Sequence, residues 1–160
     1  MADTERGASE AARFSRQRSL GYVVNHVARL FSRALEQRLA PHGMSRGQFP
    51  LLLILWEQEG ITQSEIARRL DIEQPTVANT LQRMERDGLI STAPDPGHRR
   101  QVLISLTEKA RALKPAATAG AADVNDVASA ELSAEDIETL FALMERMRAG
   151  LARQMDHSSG

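Results

Sequence analysis

The chain has 160 residues, 42% hydrophobic and 26% charged, with a formal net charge of −1 and no cysteine. That length suits one domain with a real core, and the composition is ordinary for a soluble globular protein. Lacking Cys, the chain has no disulfide, no thiolate metal site and no thiol with which to sense peroxide, and without an 18-residue apolar run or a signal segment it is expected in the cytoplasm, away from membranes.

Residues 1–17 are polar, rich in Ser, Ala and Arg and without period, which reads as a flexible arm. From Leu20 to Leu39 a helix is expected, its apolar set (Val23, Val24, Val27, Leu30, Phe31 and Leu35 among them) too wide for a single stripe. Pro41-His42-Gly43 stops it. Ser45 and Gln48 have the spacing of a capping box and open a second helix from Phe49 to Trp56. That segment is apolar enough for a strand, but Pro50 argues against a central one. Gly60 ends it.

Thr62 with Glu65 repeats the capping-box spacing, and Ile66, Ala67 and Leu70 share one face of the helix that follows. Asp71 interrupts it and Ile72 plugs the corner. Pro75 suits the first turn of the next helix, where its missing N–H has no partner to lose. Val77, Leu81 and Met84 then form a buried stripe, leaving Thr76, Asn79, Thr80 and Arg83 on the complementary face. Short hydroxyl and amide groups with one Arg are suited to phosphates and base edges, and two helices joined in this way form a helix-turn-helix. With Ser64, Gln74 and Pro75 they make up the expected DNA-facing set. The bland alternative is an ordinary solvated face, with Arg83 paired to Asp87 four residues on.

Two short strands follow, Leu89–Ala93 and Val102–Leu106, around the turn formers Pro94-Asp95-Pro96-Gly97. Arg99 and Arg100 stand at the tip, where guanidinium groups reach a minor groove or clamp phosphates. Thr107 caps a long helix to about Ala130, with Pro115 inside it and a bend expected near residues 111–115. Ser133 with Asp136 opens the last helix, whose Ile137, Leu140, Phe141, Met144, Met147 and Leu151 recur at helical spacing. Because the net charge is close to zero, basic groups for nucleic acid have to be concentrated locally, on Arg83, Arg86, Arg99, Arg100 and Arg46.

Gln74-Pro75-Thr76-Val77, Met84-Glu85-Arg86-Asp87-Gly88-Leu89-Ile90, the hairpin ending in Arg99-Arg100, and Leu106-Thr107-Glu108-Lys109-Ala110 resemble the multiple antibiotic resistance regulator (MarR) family of bacterial winged-helix repressors, over roughly residues 18–153. His98 departs from that pattern, standing where the family usually has Asp before the two Arg. Thr92 stands where Arg is common and Ala110 where the family has Gly. The resemblance implies a mostly α fold with a small β-hairpin: a winged helix-turn-helix at about 45–106 and flanking helices, about 18–40 and 107–153, that interlock two subunits in a dimerisation layer, with 154–160 as a tail.

The resemblance further implies a homodimer on a double-stranded DNA operator, released by a small-molecule effector, often a phenolic or aromatic acid or its acyl thioester. Asn25, His26, Arg29 and Phe49 are the expected effector residues, with Arg29 facing a carboxylate. An enzyme is not expected. His26, His42, His98 and His157 share no ligand spacing and no phosphate loop or nucleophile motif appears, so neither cofactor nor metal is assigned. Alternatives are a metal- or pH-responsive winged-helix regulator, the latter through His98, and a winged helix used only for protein contacts.

Overall fold

The computed structural model describes residues 15–98 and 100–158. Its elements are α1 (Leu20–Leu39), α2 (Phe49–Glu57), β1 (Ile61–Thr62), α3 (Gln63–Leu70), α4 (Gln74–Arg86), β2 (Ile90–Pro94), β3 (Val102–Leu106), α5 (Glu108–Ser129) and α6 (Ala134–Ser158), with single 3-10 turns at Arg16–Arg18 and Ala40–His42. The strands form one antiparallel sheet in the order β1-β3-β2. The chain divides into two units, one ending at Ala121 and the other starting at Ala122. Residues 1–14 of the expected arm lie outside the described residues, and Gln17, at the end of that arm, already belongs to a helical turn. At the other end α6 continues to Ser158, past the expected tail boundary, because Leu151 to Ser158 contain no Gly or Pro to stop a helix.

The first unit is built around α2. Phe49, Leu51, Leu52 and Leu55 are buried, and Pro50 occupies the first turn, where no hydrogen bond is lost. Half of the expected capping box is present: the Ser45 N–H donates to Gln48 Oε1 (3.0 Å), but Ser45–Gln48 form a turn and the helix proper starts at Phe49. Around α2 the core gathers Leu39, Ile66, Val77, Met84, Leu89, Ile104 and Leu106. Full burial of such side chains contributes about 1.5–3 kcal/mol each.

Thr107 caps α5 by accepting the Ala110 N–H (3.2 Å), and the helix runs continuously through Pro115. In the second unit Ser133 and Asp136 make both reciprocal bonds of a capping box: the Asp136 N–H donates to Ser133 Oγ (3.1 Å) and the Ser133 N–H to Asp136 Oδ2 (2.9 Å).

Strand β1 has no signature in the sequence pattern. Its two residues pair with the free edge of β3 (Ile61 with Ile104, Thr62 with Leu103), preceded by a bond from the Gly60 N–H to the Ile104 carbonyl (2.9 Å). Glu59 secures this join. Its carboxylate accepts the Leu106 N–H (3.0 Å) and a two-pronged contact from Arg111, Nε at 2.9 Å and Nη2 at 2.7 Å. The Arg111 guanidinium draws the Glu59 carboxyl below its ordinary 4.5, although burial opposes this. A carboxyl with a depressed folded-state pKa contributes stability above its unfolded value, and the contribution fades as pH falls through the folded one. Glu59→Gln is therefore expected to lower the thermal midpoint at pH 7, with the gap to the wild type closing as the buffer is taken progressively below pH 4.5. A gap independent of pH would contradict the ion pair.

Candidate nucleic-acid interface

Helix α3 starts at Thr62, whose Oγ1 accepts the Glu65 N–H (3.2 Å). The reciprocal half of this capping box is replaced by ion pairs: the Glu65 carboxylate turns to Arg68 (2.8 and 2.9 Å) and Arg69 (2.6 Å). Arg68, then Arg69, hold the Glu65 carboxyl down to about 2. Both basic residues of α3 are thus engaged within their own helix. Asp71 ends α3 in the left-handed region (φ +52°), a conformation that Asp tolerates better than most side chains. The Ile72 N–H then reaches back to the Ala67 carbonyl (3.1 Å), turning the chain sharply into α4. Across this corner Gln63 Nε2 donates to Gln74 Oε1 (3.1 Å), so the first turns of the two helices are tied side chain to side chain.

On α4, Val77, Leu81 and Met84 face the core, with Val77 and Met84 almost fully buried. Thr76, Asn79 and Arg83 are exposed, as are Gln74 and Pro75 at the start of α4 and Ser64 on α3. Thr80 is a correction to the expected DNA-facing row. It is only 4% exposed, because it stands three residues after Val77 and four before Met84 and so falls on the edge of the buried stripe. Its hydroxyl donates to the Thr76 carbonyl (3.0 Å) and accepts from Arg83 Nη2 (3.3 Å). Thr80 therefore orients Arg83 from behind. Arg83 does not pair with Asp87, whose carboxylate accepts from Gln48 Nε2 (2.8 Å) and, more distantly, from Arg86 Nε (3.4 Å).

The far end of α4 is closed by a left-handed glycine motif. Gly88 takes φ +69°, its N–H donates to the Glu85 carbonyl (3.0 Å), and the Leu89 N–H donates to the Met84 carbonyl (2.8 Å). Lys109 Nζ binds the Asp87 carbonyl (2.7 Å) and Thr107 Oγ1 the Gly88 carbonyl (2.8 Å), so α4, the wing and the start of α5 meet there.

The wing keeps strict register from Ile90 opposite Leu106 to Pro94 opposite Val102, and the Asp95 N–H to Gln101 carbonyl bond (2.9 Å) closes the ladder. Asp95 Oδ1 accepts the Gly97 N–H (2.7 Å) within the loop. Arg100 and His98 are exposed near the tip, and Arg99 lies outside the described residues.

Of the expected effector residues, three lie together at helical spacing on α1 and the fourth, Phe49, is buried in α2. Asn25, His26 and Arg29 are exposed along α1, with Asn25 Nδ2 bonded to the Gly21 carbonyl (2.8 Å) and His26 beside the Tyr22 ring. Phe49 is a correction: it is 6% exposed, packed edge-on to Trp56 with ring centroids 6.2 Å apart, so it belongs to the core. Among the described residues no group of His, Asp or Glu is arranged to hold a metal ion. Sequence reasoning misses Gln48 and Gln63. Gln48 is legible only as a cap, since its partner Asp87 is 39 residues away, and Gln63 carries no sequence signal.

Comparison with known proteins bears on this surface. The family model described as MarR family matches residues 42–101, from the turn before α2 through the wing tip. The HTH-type transcriptional regulator TtmR of Methylorubrum extorquens is 40% identical over 95 residues, which is 59% of this chain but only 49% of that protein, about half its length. The homoprotocatechuate degradative operon repressor of Escherichia coli is 31% identical over 116 residues, 72% of this chain and 78% of the repressor. Among solved structures, a MarR mutant from Escherichia coli complexed with operator DNA shares the fold with a TM-score of 0.76, at 24% identity over 80% of this chain and 92% of that one.

The opposite placements of Asn79 and Thr80 are separable by stability. Asn79→Ala is expected to leave the unfolding free energy within about 0.5 kcal/mol of wild type, whereas Thr80→Ala loses a buried methyl and a hydrogen bond and costs about 1–2 kcal/mol. Denaturant melts of the two variants read the difference, and equal effects would contradict the burial of Thr80.

Proposed function

The chain belongs to the MarR family of transcriptional regulators, and we propose that it acts as a homodimeric, ligand-responsive repressor of a pseudo-palindromic operator. The observation that carries this reading is the row Thr76, Asn79 and Arg83, exposed on α4 while Val77 and Met84 on its inner side are buried. In a helix-turn-helix the second helix enters the major groove by such a face, while a wing tip bearing Arg contacts the backbone or minor groove. Arg83, braced by Thr80, is the side chain we assign to base or phosphate recognition. Ser64, Gln74 and Pro75 flank it, and Arg99 and Arg100 extend the contact from the wing.

Two subunits are supported by apolar surface that each unit leaves open on its own. On α1, Leu20, Val23, Val27, Leu30 and Phe31 are 37–68% exposed. On α6, Leu140, Phe141, Met144, Leu151 and Met155 are 43–68% exposed. Covering such faces with a second copy removes them from water and presents two α4 helices to one side of a duplex, with half-sites about 34–36 Å apart. An aromatic acid or acyl thioester as effector is the reading suggested by family kinship, one relative being named as the repressor of a homoprotocatechuate degradative operon. Tenfold release of DNA requires a ligand to discriminate between two conformations by only about 1.4 kcal/mol.

Footprinting on genomic fragments is expected to protect two half-sites related by a dyad. Arg83→Ala should weaken that binding by about 1–3 kcal/mol in a mobility-shift assay, and aromatic acids should release the wild-type complex. A single asymmetric footprint would overturn the dimer, and undiminished binding by Arg83→Ala would overturn the recognition face.

A further inference from the structure

An open cleft of about 710 Å³ lies between the C-terminal half of α1, the turn before α2 and the outer face of α4. Arg33, Arg46 and Arg83 all line it, one from each of these three segments, together with Ser45 and Gly47. Four other arginines of the unit are neutralised by a neighbouring acid. Arg68, Arg69, Arg86 and Arg111 each sit on a carboxylate at 2.6–3.4 Å. Among the described residues, none of the three cleft guanidiniums forms an ion pair. The one acid in the lining, Glu36, is occupied by backbone, its Oε2 accepting the Arg46 N–H at 2.9 Å. Three positive charges against one negative line an open hollow, and holding like charges together with so little counter-charge is unfavourable at close range.

We propose that this cleft binds an oxyanion, a phosphate or carboxylate group, held between Arg33 and Arg46 and facing Arg83. Guanidinium groups match such oxygens with paired, charge-assisted N–H bonds. Two sources offer the same chemistry: a backbone phosphate of the operator just outside the groove occupied by α4, and a free small anion. In the first case the cleft widens the DNA footprint beyond helix and wing. In the second an occupant competes for Arg83, the residue that α4 offers to DNA, which makes the cleft an inhibitory site. The first source rests on the proposed DNA-binding function; the second does not.

The test uses the full chain and two double variants, Arg33→Gln with Arg46→Gln, and Arg33→Lys with Arg46→Lys, all at exposed positions away from the core. In one arm, without DNA, melting temperature is followed against inorganic phosphate and against benzoate at fixed ionic strength; a ligand of the folded state raises it. In the other, affinity for operator and for random DNA is followed against salt. If the anion is free, the wild-type midpoint rises to saturation and the Gln variant stays flat. If it is an operator phosphate, the Gln variant loses about one unit of the log–log salt slope, equally on both DNA sequences, and the Lys variant keeps it. A Gln variant indistinguishable from wild type in both arms overturns the proposal. Should the wild type bind no DNA at all, the regulator reading falls, and the anion arm alone then decides the cleft.

Discussion

The orientation of α4 depends on how its last turn is closed. At Asp87-Gly88-Leu89 the chain has to leave the helix and enter β2 within three residues, which requires the left-handed backbone that Gly88 supplies at φ +69°. Once that is taken, the carbonyls at the end of the helix find partners from elsewhere in the fold. Thr107 binds the Gly88 carbonyl, Lys109 binds the Asp87 carbonyl, and Gln48 holds the Asp87 carboxylate from the turn before α2. Met84 and Leu89, both fully buried, pack beneath. The exposed face of α4 is therefore aimed by contacts at the end of the helix, from residues 39 positions upstream of Asp87 and 22 downstream. A single side chain added at Gly88 would strain the corner on which all of them converge.

Charge is apportioned by the same logic. The chain is nearly neutral, yet two sets among its arginines are placed differently. Those of α3 and the start of α5 are matched with Glu65, Glu59 and Glu108, and they stiffen the frame around the sheet and the helix-turn-helix corner. Those at Arg33, Arg46 and Arg83 have no such match among the described residues and share a single hollow. Net charge conceals this division, because an ion pair removes two charges from the surface potential without changing their sum. What a polyanion meets is the unmatched set.

Much of this is readable from local chemistry. Thr107, Ser133 and the Thr62 hydroxyl mark helix starts because a capping bond spans only three residues. The limits of α1 and β3 agree with their sequence patterns for a similar reason: Pro41, Gly43 and the β-branched run act at short range. The failures are of longer range or of finer angle. Strand β1 has two residues and no period, and exists because the edge of β3 is open to it. Polarity alone places Thr80 outward, whereas its angular position, 100° per residue from Val77, turns it inward. An aromatic's general usefulness suggests a pocket for Phe49, and the core claims it. The Gln48 to Asp87 bond joins residues whose proximity only the finished fold creates.

The closed ladder of the wing has one last implication. From Ile90 to Asp95 on one side and Gln101 to Leu106 on the other, every step is held by pairing, and β3 is clamped on its far edge by β1. Among the described residues the loop beyond is held by local bonds alone: Asp95 accepts the Gly97 N–H on its side chain and the His98 N–H on its carbonyl, and the Gln101 N–H donates to the His98 carbonyl. Its length can change during evolution without sliding the strands or turning their side chains over. How far the tip projects is thereby a quantity that selection can adjust residue by residue, on a stem whose geometry is left alone.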